Sequence, residues 1–254
     1  MLLVVFSTPP LDEALIRTIG GIVALAPAEV RHKLMGTMPR VLCVDADDAR
    51  LDNCVRELAT IQVHALACDS DVVPNDSERL VAKTLAFTAS GLRINENASG
   101  VEDCPYSAIE LVQRGTRFHD ETIVTESTHR KFSMGKALAS GGLLMSSKVK
   151  TTSVQHKHKS ERFILLQRRD GESEIILYER RLDYRFLGVR MDPSAFTNLE
   201  TVFTELKSKL RGTTTDSTVS QPGFARSFPQ TTTDRMDLAL YLVALGHRLQ
   251  RGRV

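Results

Sequence analysis

The chain has 254 residues, 42% of them hydrophobic and 25% charged, with 15 Gly, 9 Pro and no Trp; these proportions exclude collagen-like, coiled-coil and globally disordered classes. Its net charge of +2 hides a segregation: residues 1–76 hold 6 Lys/Arg against 11 Asp/Glu and residues 77–128 hold 5 against 8, whereas residues 129–170 hold 10 against 2. A local excess of that size attracts anionic partners, or pairs internally with the acidic block. The four Cys, at 43, 54, 68 and 104, are too few and too scattered for a disulfide framework, which predicts a reducing cytoplasm. Met1 to Pro10 has only the apolar run Leu2–Phe6 and no basic n-region, so it does not read as a signal peptide. No apolar stretch approaches the roughly 18 residues of a membrane span.

Leu2-Leu-Val-Val-Phe6 reads as a buried strand, ended by Ser7-Thr-Pro-Pro10. Leu11 to Ala26 has helical spacing through Leu11, Leu15, Ile19 and Ile22, and Pro27 opens a second short helix to Met35. Arg40–Asp45 is a second strand. Asp47 or Asp48 caps a helix to about Thr60 with Leu51, Val55 and Leu58 inside, and Val63–Cys68 is a third strand. This order predicts a small α/β sandwich over residues 1–76, ferredoxin-like or a close relative.

The run Arg40-Val-Leu-Cys-Val-Asp-Ala-Asp-Asp48 resembles the opening of a response-regulator receiver domain, in which acidic residues after the first strand hold Mg²⁺ beside a phosphoryl-accepting Asp. The resemblance ends within about 30 residues. Where the acceptor is required, Leu85–Ile94 contains no carboxylate, so Asp45, Asp47 and Asp48 read as a polar strand exit and a helix cap.

From residue 84 the texture becomes β-rich. Thr84–Thr88 and Leu92–Asn95 flank Ala89-Ser-Gly91, a hairpin in which Gly91 is expected to supply a positive φ. Further strands are expected at Tyr106–Val112, Glu121–Thr128, Lys148–Val154, Arg162–Gln167, Ser173–Tyr178 and Tyr184–Val189, with a turn at Asp170-Gly171. Asp192 and Pro193 then start an amphipathic helix with Phe196, Leu199, Val202, Phe203, Leu206 and Leu210 on one face, stopped by Gly212. Many short strands followed by one helix predict an antiparallel barrel closed by that helix. Ala86–Ile94 followed by Pro105-Tyr-Ser-Ala-Ile109 is similar to the opening of bacterial pleckstrin-homology-like domains, over roughly residues 82–211 with an insert at 117–142. The resemblance implies a binding scaffold and fixes no ligand. The run His129–Gly142, with the acidic-to-basic layout, resembles an uncharacterised family of bacterial two-domain proteins, which implies architecture and no chemistry.

Gly212–Thr233, rich in Ser, Thr, Pro and Gly, reads as a flexible linker. Asp234 then opens a helix whose stretch Leu238–Leu245 is apolar nearly all round. Such a helix is buried, either against its own chain or on a second copy as a homodimer through residues 234–254. The fold class expected is therefore α+β: a ferredoxin-like unit, a pleckstrin-homology-like barrel and a C-terminal helix.

No nucleophile elbow, zinc-protease helix or dinucleotide loop is present. Ser133 heads a short Met134–Ser140 segment near Lys136, where helical N–H groups suit a phosphate, but the P-loop order is absent. His156-Lys-His158 offers two imidazoles, too few for zinc. The block Lys148, Lys150, Lys157, Lys159, Arg162, Arg168 and Arg169 suits anion binding, since strand alternation lines several of these on one face. Little aromatic interleaving argues against a single-strand nucleic-acid platform. The surface expected to bind an anion or partner comprises Lys136, Lys148, Lys150, Lys157, Lys159 and Arg162, with no catalytic residue, metal or cofactor assigned. The function expected is a non-enzymatic cytoplasmic binding or regulatory protein. The alternatives are an enzyme acting on a phosphorylated small molecule through Lys136 with His129 or His119, and a homomeric assembly protein using residues 234–254.

Overall fold

Leu2–Ser7 (β1) is apolar without alternation because both of its faces are covered. Leu3 and Val5 pack among three helices, Glu13–Val23 (α1), Pro27–Leu34 (α2) and Asp48–Thr60 (α3), while Leu2 and Val4 belong to a different core on the other side. The computed structural model describes residues 1–95, 100–132 and 146–252; within 119–132 and 146–159 the description covers the backbone alone. The chain is mixed α+β and forms two units, Met1–Thr116 with Arg162–Val254 and, separately, Arg117–Glu161.

β1 lies between Arg40–Val44 (β2) and His64–Cys68 (β3) and runs antiparallel to both. Two helices intervene between β1 and β2, so the chain re-enters the sheet reversed. One helix intervenes between β2 and β3, which makes them parallel and separated by β1. The caps follow the sequence: Asp12 accepts from the Leu15 N–H at 2.7 Å, and Asp47 accepts from the Arg50 N–H at 3.0 Å.

The strands from residue 80 onward form two further sheets. The larger is built from Leu80–Val81 (β4), Ile109–Phe132 (β8), Ser146–Arg168 (β9), Ile175–Tyr178 (β10) and Thr214–Asp216 (β11), in the order β11-β8-β9-β10-β4. The smaller holds Thr84–Phe87 (β5), Gly91–Asn95 (β6) and Val101–Pro105 (β7), antiparallel in the order β5-β6-β7. The expected barrel does not close among the described residues. β5 and β7 each pair only with β6, and the five-stranded sheet ends on two short strands added in parallel, β4 on β10 and β11 on β8. The two sheets instead share a core, with Leu85, Leu92 and Ile94 on one side and Ile164, Leu166, Ile175 and Leu177 on the other. Ala195–Lys209 (α4) covers it through Leu199, Val202 and Leu206.

The opposite face of the five-stranded sheet, Phe163, Leu165, Ile176 and Tyr178, meets Arg235–Gln250 (α5). The same helix packs against Leu2 and Val4, so α5 is the layer between the first sheet and the five-stranded sheet, with Leu238, Leu240, Leu242 and Val243 buried and Tyr241 and Leu245 half-buried against the same core. Asp234 caps it, accepting from the N–H groups of Met236 at 2.9 Å and Asp237 at 3.3 Å. The segment expected as a flexible linker is packed: it contains β11, and Val219, Phe224 and Phe228 are buried in the α5 core. Its polar composition concealed three apolar anchors at wide spacing.

Three local expectations are corrected. Tyr184–Arg190 is a 3₁₀ segment rather than a strand, begun by the Asp183 side chain, which accepts from the Arg185 N–H at 3.1 Å. The α4 cap is Ser194, not Asp192; the Asp192 backbone is bridged by the buried Asn198 amide at 2.7 Å on both sides. Gly91 has no positive φ; glycine is needed there because a Cβ would collide with the Cys104 carbonyl of β7. Gly115 on β8 serves in the same way, lying against the Phe163 ring. Gly115→Ala is expected to cost about 1–3 kcal/mol by overpacking, with Phe163→Leu restoring part of the loss, as chemical denaturation of the single and double variants will show.

Candidate functional site

The basic residues singled out in the sequence separate into two groups. Arg162, Arg168 and Arg169 lie at the end of β9 in the first unit, where their partners are visible. Arg162 donates from Nη1 to Glu179 at 3.2 Å, and its Cζ stands 4.4 Å from the centroid of the Phe196 ring on α4. Its side chain is 49% exposed, so it is half committed to the fold and half open to solvent. Arg168 is 4% exposed and pairs with Asp170 through Nε at 3.0 Å and Nη2 at 2.8 Å, and with Glu102 through Nη1. Hydrogen bonds from Arg168 to Asp170 raise the arginine's pKa above the ordinary value, outweighing the cost of burial. Arg169 is tied through its backbone N–H to the Ala108 carbonyl at 2.9 Å and through Nη2 to the Ile109 carbonyl at 3.4 Å. Arg168 is thus structural and drops out of the block expected to bind anions, whereas the Arg169 side chain is exposed and keeps only the long contact to the Ile109 carbonyl.

Lys148, Lys150, Lys157 and Lys159 fall on the strand β9, but their side chains lie outside the described residues. Lys136 lies outside them altogether, and the side chains of His119, His129, His156 and His158 are likewise undescribed, so the grouping required by the enzyme alternative is not visible. What is visible is the backbone: β8 runs for 24 residues and β9 for 23, as hydrogen-bonded neighbours in the sheet order. Residues 129–159, shared between these strands and the segment joining them, carry 7 Lys/Arg and no Asp/Glu.

The acidic run and the cysteines of the first unit serve its structure. Asp45 accepts from the Asp47 N–H at 3.0 Å and pairs with Arg50; the backbone hydrogen bond and Arg50 hold it below the usual carboxylate range. This is a strand exit and helix cap, as expected of the acidic run. The cysteines are free thiols; burial pushes Cys68 and Cys104 up to about 11 and raises Cys43 and Cys54, which keeps them protonated at neutral pH.

Two features had no sequence signal, because each gathers residues from distant segments. Arg79, wholly buried, donates from Nε to Glu174 at 2.8 Å and from Nη1 to Asp76 at 3.2 Å and to Asp237 at the start of α5. Burial opposes its charge, but Glu174 and Asp237 outweigh burial and raise its pKa. The second is a cleft of about 390 Å³ between the ends of β1, β3 and α5, with Phe6, Val63, Leu66 and Leu249 as apolar wall and Gln62 and His64 at its polar side. Gln62 sits at φ 60°, a left-handed turn into β3. No Lys, Arg, Asp or Glu lines this cleft, so it offers no counter-charge to an ionic ligand.

Among the described residues, no helix is long and apolar enough to cross a membrane. Comparison of the chain with family models, with curated proteins and with solved structures gives no match.

Proposed function

We propose that the protein is a non-enzymatic binding or regulatory protein of the cytoplasm that takes an anionic ligand, or an acidic protein partner, on the basic segment of β8 and β9. The observation that carries the reading is the 129–159 stretch, with 7 Lys/Arg and no Asp/Glu, of which residues 129–132 end β8 and 146–159 lie on β9. Arg168, close to it in sequence, is spent internally, and the proposed binding falls to Lys148, Lys150, Lys157 and Lys159 on β9, with Lys136 in the segment that joins the two strands in sequence. In an extended strand, residues of the same parity share a face, so Lys148 and Lys150 act together. A run of Lys/Arg without acidic neighbours raises the local concentration of any polyanion and speeds its association.

Two kinships of fold accompany this reading. The first sheet is akin to ferredoxin-like sandwiches, supported by the split β2–α3–β3 crossover around β1. The middle region is akin to pleckstrin-homology-like domains, supported by two packed sheets with a helix following them; the parallel β4–β10 pairing departs from that plan. Free thiols suit a reducing compartment.

The test is thermal unfolding of the full chain with ATP, a sugar phosphate, a short DNA duplex and phosphatidylserine vesicles, each at low and high salt. A ligand of the folded state raises the midpoint by mass action. The expected result is a rise at low salt with at least one probe, abolished at high salt and in Lys148→Glu with Lys150→Glu. A rise that this double variant leaves unchanged, or no rise with any probe, contradicts the reading.

A further inference from the structure

Arg40, at the start of β2, is a half-buried cation with no carboxylate partner among the described residues. Its Nη1 donates to the Ser227 hydroxyl, and its Cζ lies 5.7 Å from the centroid of the Phe224 ring. Ser227 in turn donates to the Phe224 carbonyl at 2.6 Å, so its oxygen is held facing the guanidinium. Nε is buried and has no hydrogen-bond acceptor. No carboxylate among the described residues pairs with this guanidinium, and burial alone lowers its pKa, the direction opposite to that of Arg79 and Arg168. Those two arginines, buried more deeply than Arg40, meet two or three carboxylates each.

The backbone around Arg40 is shaped to its head group. Gly36 has φ +95°, and a Cβ there would collide with Nη2. The loop before β2 is tied to the segment carrying Ser227 by a second hydrogen bond, Thr37 Oγ1 to Gln221 Oε1 at 2.9 Å. A fixed guanidinium with one edge satisfied and the Nε–Nη2 edge lacking acceptors has the fork geometry that carboxylate and phosphate oxygens fill with two parallel hydrogen bonds.

We propose that Arg40, oriented by Ser227 and Phe224 and given room by Gly36, anchors a binding site for the oxyanion of a small molecule, engaged through Nε and Nη2. The site lies wholly in the first unit and is independent of the basic segment of β8 and β9. Its ligand supplies the negative charge that the fold withholds. The shared chemistry is a carboxylate or a phosphate group, and the experiment separates the two.

The full-length protein is unfolded thermally in sodium phosphate, in sodium acetate and in sodium chloride of equal ionic strength, alongside Arg40→Gln and Lys148→Glu with Lys150→Glu. The expected result is a saturable rise of about 2–4 °C over chloride at a few times the dissociation constant, retained in the lysine double variant and absent in Arg40→Gln. A rise with phosphate alone identifies a phosphate site, and a rise with acetate a carboxylate site. No rise over chloride, or an equal rise in Arg40→Gln, overturns the proposal. If Arg40→Gln does not fold, the Arg40 Nε–H resonance of the wild-type chain decides: displacement on adding phosphate or acetate supports the site, and an unmoved resonance overturns it.

Discussion

Leu240→Ala is expected to lower the stability of the whole chain by about 2–5 kcal/mol, and removal of residues 234–254 to leave a chain that does not fold. Leu240 is fully buried, as are Leu238, Ala239 and Leu242 around it, and their surroundings come from both flanking sheets. Truncating one of these side chains leaves a cavity that strands on either side cannot collapse to fill. Deleting the helix exposes Leu2 and Val4 of the first sheet together with Phe163, Leu165, Ile176 and Tyr178 of the five-stranded sheet. Each sheet then has one large apolar face in water. Denaturant unfolding followed by far-UV circular dichroism checks both statements, and a shortened chain that unfolds cooperatively as a monomer contradicts them.

The second large effect is expected at Arg79. Arg79→Ala leaves Asp237, 3% exposed, and Glu174, 15% exposed, without their cation, and the cost of such a broken buried pair is about 3–5 kcal/mol. The network joins β4 to the approach of β10 and to the first turn of α5, so its loss loosens elements that are far apart in sequence. Its charge is not required for stability as such. Arg79→Met with Glu174→Gln and Asp237→Leu removes the buried charges together, leaves only the partly exposed Asp76, and is expected to recover most of the loss, while Arg79→Met alone is not. A double-mutant cycle on Arg79 and Asp237 measures the coupling, and a coupling near zero contradicts a shared network.

Elements whose signal is local were legible in the sequence. Asp47 and Asp234 cap their helices, the apolar runs at Leu2 and Arg40 are strands, and the Asp170-Gly171 turn carries the positive φ, +83°, that its residues imply. Features set by distant partners were not. Arg168 looks like part of a basic face until Glu102 and Asp170 are brought to it. The 212–233 segment looks like a linker because its three buried anchors, Val219, Phe224 and Phe228, are outnumbered by Ser and Thr. Tyr184–Val189 has strand-forming residues, but the Asp183 side chain supplies a turn and the Tyr184 hydroxyl reaches the Glu179 carbonyl at 2.8 Å, which holds the chain in a 3₁₀ path. Arg40 carries no motif at all: its interest lies in what fails to surround it.

The electrostatic capture of anions proposed for residues 129–159 stands or falls on the salt dependence of binding. The full chain is titrated with labelled inorganic polyphosphate between about 50 and 200 mM salt, beside Lys148→Glu with Lys150→Glu. Removing one lysine that pairs with a phosphate reduces the slope of log affinity against log salt by about one. The expected result is an affinity that falls steeply with salt in the native chain, and a slope shallower by at least about two in the double variant, which loses two contacts and adds two repelling charges. Equal slopes, or no binding at the lowest salt, contradict it.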